Sequence, residues 1–214
     1  METDEDIRVI VGLGNPGPKY ERTRHNVGFL VLEALAGPGA SWQQSDSGVR
    51  ATVRVGRSEK ILFRPLTFMN RSGRAVAQLL AREELRSDQI LVVYDDIDLE
   101  ASRIRIRRSG GAGTHRGVAS ILAELETGDF PRVRVGVGGP PLGMPLDRYV
   151  LELLEGAAWD AFSKVVARAA DAIRVICDEG IGVGMNQFNP MPPLDSAVGR
   201  SREGESDSDS GGKN

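Results

Sequence analysis

Val-Gly-Leu-Gly-Asn-Pro-Gly-Pro-Lys-Tyr-Glu-Arg-Thr-Arg-His-Asn-Val-Gly-Phe, residues 11–29, is the stretch around which the chain is organised. It opens as the end of an apolar strand (Ile7, Val9, Ile10, Val11) and breaks at Gly12-Leu-Gly14. A Pro/Gly-dense turn then presents Asn15, Tyr20, His25 and Asn26 together, and a helical pattern starts near Asn26. The chain has two histidines, and one of them sits here among side-chain amides and an aromatic ring. An imidazole off the C-terminal end of a strand suits general-base work, because histidine ordinarily titrates near neutrality. Alone, His25 would read as a cap for the helix that follows; its neighbours favour the chemical reading.

Gly12-x-Gly14-x-x-Gly17 also matches the dinucleotide-binding fingerprint after a strand. That fingerprint needs a helix to begin at its last glycine and receive the pyrophosphate. Here Pro16 and Pro18 bracket Gly17, and the helix begins some nine residues later. A nucleotide cofactor is therefore not expected.

The 214 residues fit one domain with room for a sizeable core. No apolar run reaches the ~18 residues of a membrane helix, and the acidic start Met1–Asp6 is unlike a signal peptide. Cys177 is the lone cysteine, which excludes an internal disulfide and fits a reducing cytoplasm. The net charge of −3 conceals an asymmetry. Residues 1–6 and 195–214 together hold nine acids and three bases, which leaves 24 bases against 21 acids in the body.

Along that body, Phe29–Ala36 has helical spacing and stops at Gly37-Pro-Gly39. Val49–Val55 alternates as a half-buried strand and turns at Gly56-Arg-Ser58 into Ile61-Leu-Phe63. A polar loop, Leu66–Gly73, leads into a helix through Val76, Leu79 and Leu80. Gln89–Tyr94 is an apolar run fitting a strand buried on both faces, and it ends in Asp95-Asp-Ile-Asp98. Arg103–Arg107 and Arg132–Val137 are strands with alternating arginines, separated by a glycine-rich loop and a helix from about Gly117. Gly138–Pro145 reads as a mobile linker, Arg148–Leu154 as a short helix and Ala157–Glu179 as a long one. From residue 191 the chain is an acidic, Ser/Gly-rich tail expected to be disordered. The alternation predicts a single three-layer α/β/α domain over residues 7–190 with a mixed, mostly parallel central sheet.

In such sheets ligands gather outside the carboxyl ends of the strands. Asn15, Met69-Asn70 and Asp95 each follow a strand, so three loops should converge beside His25. The acidic cluster could hold Mg²⁺, or Asp95 could accept a hydrogen bond from His25 and stabilise its imidazolium. The second reading explains both residues, and Asp98 is left to close the turn. No Gly-x-Ser-x-Gly elbow occurs and Cys177 lies on an apolar helix face, so water is the expected nucleophile, attacking an ester. Asn15 and Asn70 could bind the carbonyl or the developing oxyanion. Arg103, Arg105, Arg107, Arg132 and Arg134 repel one another unless they meet a polyanion, for which RNA phosphate is a natural partner.

These motifs resemble those of bacterial-type peptidyl-tRNA hydrolases over nearly all of residues 7–189. The resemblance rests on Gly12–Gly17 with Thr23-Arg-His-Asn26, on Thr67-Phe-Met-Asn-Arg-Ser-Gly73, and on Tyr94-Asp-Asp-Ile-Asp-Leu99. Phe130-x-Arg-x-Arg134-Val-Gly-Val-Gly138 and Met185-Asn-x-Phe-Asn189 extend it. It implies His25 as base, Asp95 as its orienting partner and Asn15 as the residue that tells peptidyl- from aminoacyl-tRNA. Tyr20, Asn26, Phe68, Met69, Asn70 and Arg116 would bind substrate. Arg105, Arg107 and Arg134 would grip tRNA phosphate, and Gly138–Leu154 would form a gate and lid. It further implies a cytoplasmic monomer that recycles tRNA from stalled translation without metal, cofactor or membrane. The rival expectation is a hydrolase-like RNA-binding module, such as an intron-splicing factor. One position departs from the pattern: Gly113-Thr-His-Arg-Gly117 puts arginine where the family usually has a substrate-binding asparagine.

Overall fold

The computed structural model describes residues 6–45 and 47–194. The expected acidic extension, apart from Asp6, and the tail from Asp195 onward lie outside the described residues. Strand β1 (Val9–Gly12) is buried along its whole length. Two 3₁₀ turns, Pro18–Tyr20 and Arg24–Asn26, lead into α1 (Val27–Ala36). Strands β2 (Gln43–Ser45), β3 (Gly48–Val55) and β4 (Ser58–Pro65) follow, then α2 (Ser72–Glu83) and β5 (Ile90–Asp96). Next come β6 (Ile104–Arg107), α3 (Arg116–Leu125) and β7 (Arg132–Gly136). The described chain closes with α4 (Leu146–Val150), α5 (Gly156–Glu179) and α6 (Ile181–Phe188).

The seven strands lie in the order β2-β3-β4-β1-β5-β7-β6. β4, β1, β5 and β7 run parallel, while β2, β3 and β6 pair antiparallel at the flanks. The three-layer expectation holds. One face packs Val31 and Leu32 of α1 with Val165, Ala169 and Ile173 of α5. The other packs Val76 and Leu79 of α2 with Val118 and Ile121 of α3. From β1 the chain crosses to β4 on one side, then returns through α2 to β5 on the other. The strand order therefore reverses at β1, where the crevice of such sheets opens.

The fingerprint glycines serve packing. A Cβ on Gly12 would lie 2.4 Å from the Gly28 carbonyl oxygen, and one on Gly28 would lie 2.2 Å from the Leu13 nitrogen. Strand and helix backbones therefore touch, which fixes where α1 starts and so where His25 sits. Gly17 is followed by a three-residue 3₁₀ turn, not by a helix that could receive a pyrophosphate.

Several expectations need correction. β2 was not foreseen because its polar residues pair with β3 through the backbone alone. α6 contains Gly182 and Gly184, poor helix formers; Gly184 is required because its Cβ would lie 2.7 Å from Ile176 Cγ1. The predicted 148–154 helix is shorter and earlier, since Leu153 instead bridges to Thr23. The tail boundary also moves, because Met191 and Leu194 pack against the core. Arg132 is no part of a solvated basic face. It is 1% exposed, stacks 4.1 Å from the Phe130 ring centroid and donates to the carbonyls of Phe130, Gly111 and Gly128.

Candidate active site

The loops after β1 and β4, the end of β5 and the start of α3 close around a cleft of about 680 Å³. At its base His25 Nδ1 lies 2.9 and 3.0 Å from the two oxygens of Asp95. The carboxylate accepts the Nδ1 proton, which leaves Nε2 as the basic nitrogen of a side chain that lines the cleft. His115 holds Asp95 from another direction, with Nε2 3.1 Å from Oδ1. Its Nδ1 accepts from the Val118 amide at 3.2 Å as the cap of α3. That bond places the His115 proton on Nε2, so His115 donates to Asp95 as well.

Two donors matter because Asp95 is buried. Burial alone would raise its pKa, but the adjacent His25 and His115 outweigh burial by charge and hydrogen bonding. The carboxyl is held well below the usual range and stays ionised around neutrality. Tyr94 completes the packing, its ring centroid 4.9 Å from that of His115. Sequence reasoning missed His115 as a partner of Asp95. The available signal was that the second of two histidines occurs where a glycine loop opens a helix.

The asparagines divide into two roles. Asn15 Oδ1 accepts from the Met69 amide at 2.9 Å, which joins the β1 and β4 loops and leaves its NH₂ as the donor end of a cleft-lining side chain. Asn26 is 2% exposed and spends both ends of its amide on the Asn15 backbone, at 2.8 and 3.0 Å. The expectation that Asn26 contacts substrate is thereby corrected: it is a staple beneath the cleft. Asn70 and Phe68 are exposed on the cleft lining, whereas Met69 is buried with its sulfur against Gly117. Tyr20 does not line the cleft and is paired with Lys19, whose Nζ lies 4.8 Å from the ring centroid.

Arg107, Arg116 and Arg134 line the cleft, and Arg105 lies outside it. Arg134 is not a free cation, because its Nε pairs with Asp96. Burial works against its charge, and Asp96 more than restores it, so its pKa is raised. The other Asp96 oxygen accepts from the Asp98 amide at 2.9 Å, so Asp96, not Asp98, closes this turn. Arg105 has the opposite surroundings: chiefly Arg107, then burial, Arg103 and Arg134 lower its pKa. Arg116 is exposed at the first residue of α3 and has no ion-pair partner among the described residues.

His25, Asp95 and His115 offer ligand-type atoms within 4.8 Å of one another, among the described residues the one such group able to hold a metal ion. The same three side chains are already joined by hydrogen bonds, which hold Asp95 as a carboxylate between two imidazoles. Burial pushes the Cys177 thiol up to about 11, which suits an inert core side chain better than a nucleophile.

Fold and site define a three-layer α/β protein with an imidazole–carboxylate centre set in a cleft with a basic flank. The sequence pattern of the peptidyl-tRNA hydrolase family matches residues 9–196. A peptidyl-tRNA hydrolase from Chloroflexus aggregans is 42% identical over 188 residues, covering 86% of this chain and 99% of that protein. One from Symbiobacterium thermophilum is 43% identical over 186 residues, covering 85% and 98%. Among solved structures, the Acinetobacter baumannii peptidyl-tRNA hydrolase superposes with a TM-score of 0.80 at 27% identity, over 91% of this chain and all of that one. The chain belongs to the peptidyl-tRNA hydrolase family.

Proposed function

We propose that the protein hydrolyses the ester joining a peptide to the terminal ribose of tRNA, with water activated by His25. The observation that carries the mechanism is the orientation of His25, whose Nδ1 is held by buried Asp95 while the side chain lines the cleft. Nε2 takes a proton from water, and the water oxygen attacks the ester carbonyl. The negative charge moves to the carbonyl oxygen, where the Asn15 and Asn70 amides can donate. Collapse breaks the bond to the ribose oxygen, which receives the proton back from the imidazolium. Asp95 stabilises that imidazolium without taking its proton.

Substrate contacts are assigned to Phe68, Asn70 and Arg116, with Met69 shaping the loop and Tyr20 reserved for chain beyond the cleft. Arg105 and Arg107 are assigned to tRNA phosphate, with Arg134 holding Asp96 beside them. The catalytic unit is residues 7–194, acting as a monomer because the cleft is complete within one chain, and in the cytoplasm, where its substrate arises. No helix among the described residues is long and apolar enough to cross a membrane. The rival RNA-binding reading is not favoured, because relatives matched over nearly their whole length carry the enzyme's name. The test is release of a blocked aminoacyl group from tRNA. His25→Ala should lower kcat by roughly 10²–10⁴-fold while tRNA binding persists. Normal turnover in that variant would remove the mechanism.

A further inference from the structure

His25 lies between two anchored neighbours. Asn26 is stapled to Asn15, as described above. Arg24, in the same 3₁₀ turn, is anchored to the segment that includes α4. Its Nη1 donates to the Tyr149 carbonyl at 2.9 Å and to Glu152 Oε2 at 2.8 Å. Its guanidinium also lies 4.1 Å from the Tyr149 ring centroid. Tyr149 in turn donates its hydroxyl to the Val137 carbonyl at 2.6 Å, just beyond β7. Alongside, the Leu154 amide donates to the Arg22 carbonyl at 2.8 Å, and Thr23 bridges to Leu153.

The anchored segment is a wall of the cleft, to which it contributes Leu146, Asp147, Val150 and Leu151. α4 has five residues, too few to persist without tertiary support. An exposed Arg–Glu pair alone would contribute little. Arg24 differs because its side chain is 18% exposed, and it combines a carbonyl, a carboxylate and an aromatic face in one fork.

We propose that Arg24 is a positioning residue that latches α4 as the cleft wall beside the catalytic histidine. This rests on the peptidyl-tRNA hydrolase reading. His25 itself is held by Asp95, so loss of the latch changes how often the wall is in place and leaves the chemical step intact. Apparent affinity falls in proportion to the competent fraction. If the wall is in place about a tenth of the time without Arg24, KM rises about tenfold and kcat stays within about twofold.

The experiment measures kcat and KM on peptidyl-tRNA and amide hydrogen exchange over residues 146–152 in the full chain. Arg24→Ala should raise KM and speed exchange there, leaving exchange in β1 and β5 as in the parent. Arg24→Lys should recover part of both losses, since an ammonium cannot fork and stack at once. Glu152→Gln keeps the carbonyl bond and the stacking, so it should shift both readouts in the same direction by less; it decides the matter even if Arg24→Ala fails to fold. Parent-like KM and parent-like exchange in these variants would overturn the latch, as would a fall in kcat at constant KM. An inactive parent would sink the functional reading instead, and exchange would still decide the latch.

Discussion

Asp95 accepts hydrogen bonds from two imidazoles that do different work. His25 is in the cleft and can exchange a proton with water, whereas His115 is buried and its Nδ1 is committed to capping α3. In the proposed reaction His115 therefore acts through Asp95. His115→Asn retains a helix cap, because asparagine is a strong N-cap residue, but loses the donor to the carboxylate. Hydrogen bonds to charged groups are worth roughly 1.5–3 kcal/mol, so the melting temperature should fall, and the rate of the folded enzyme should fall about tenfold or more. A parent-like rate would show that one imidazole suffices. Arg116 poses a different question, since a cation at a helix start opposes the dipole by roughly 0.3–1 kcal/mol. Arg116 makes no ion pair among the described residues, although Asp96, Asp98 and Asp147 line the same cleft, so the partner is expected on the substrate. Arg116→Ala should raise KM more than it lowers kcat, and Arg116→Asn should restore most of the loss; unchanged steady-state kinetics in Arg116→Ala would mean the guanidinium points to solvent. At this scale the meeting of Asn15, His25 and Asp95 was legible because two lie in the loop after β1 and the third at the carboxyl end of β5. The burial of Asn26 and Arg132 was not, because which side chain fills a backbone gap depends on tertiary neighbours that a linear pattern does not encode.

β6 and β7 place Arg105 opposite Arg134, and Arg107 opposite Arg132. The pairing turns an apparent stripe of equal arginines into four distinct environments. Arg132 is a structural pin and Arg134 is neutralised by Asp96, so the proposed phosphate contacts fall to Arg105 and Arg107. Neutralising Arg105 or Arg107 should weaken tRNA binding and lower the slope of log K against log salt by roughly 0.7–0.9 per lost contact. Arg132→Gln should instead lower the melting temperature, because it leaves buried carbonyls unsatisfied. A salt titration of binding beside a thermal melt separates the two, and equal slopes for all three variants would contradict the division. Elements whose burial determines their composition were readable: β5 is apolar because both its faces are covered. β2 and α6 were not, since β2 is held by backbone pairing. α6 packs where Asn189 completes the free edge of β6, exchanging hydrogen bonds with the Ile106 amide and carbonyl at 2.7 and 3.2 Å. That edge contact joins α6 to the strand bearing Arg105 and Arg107, the arginines proposed to contact phosphate.

The C. aggregans and S. thermophilum relatives are covered over 98–99% of their own length while matching 85–86% of this chain, so this chain carries extra residues. The last described residues make specific contacts: Met191 and Leu194 pack against the core, and Arg168 Nη1 donates to the Pro192 carbonyl at 2.8 Å. They hold the end of α6 against α5, and through Asn189 they support β6. The sequence beyond Leu194 is rich in Ser, Gly and Asp and has few apolar side chains to offset the roughly 1–2 kcal/mol per residue needed to order a backbone. A chain ending at Leu194 should therefore match the full chain in melting temperature and in release of peptide from tRNA. A chain ending at Pro190 should melt lower, because Met191 and Leu194, both partly buried, are removed, each losing a fraction of the roughly 1.5–3 kcal/mol that full burial contributes. The shorter truncation should also weaken tRNA binding more than it slows a minimal substrate lacking the acceptor arm, since β6 loses support while the His25–Asp95 centre does not. If removal of residues 195–214 alone lowers stability or activity, the acidic tail docks on the body, and the basic strands are the surface on which to seek it.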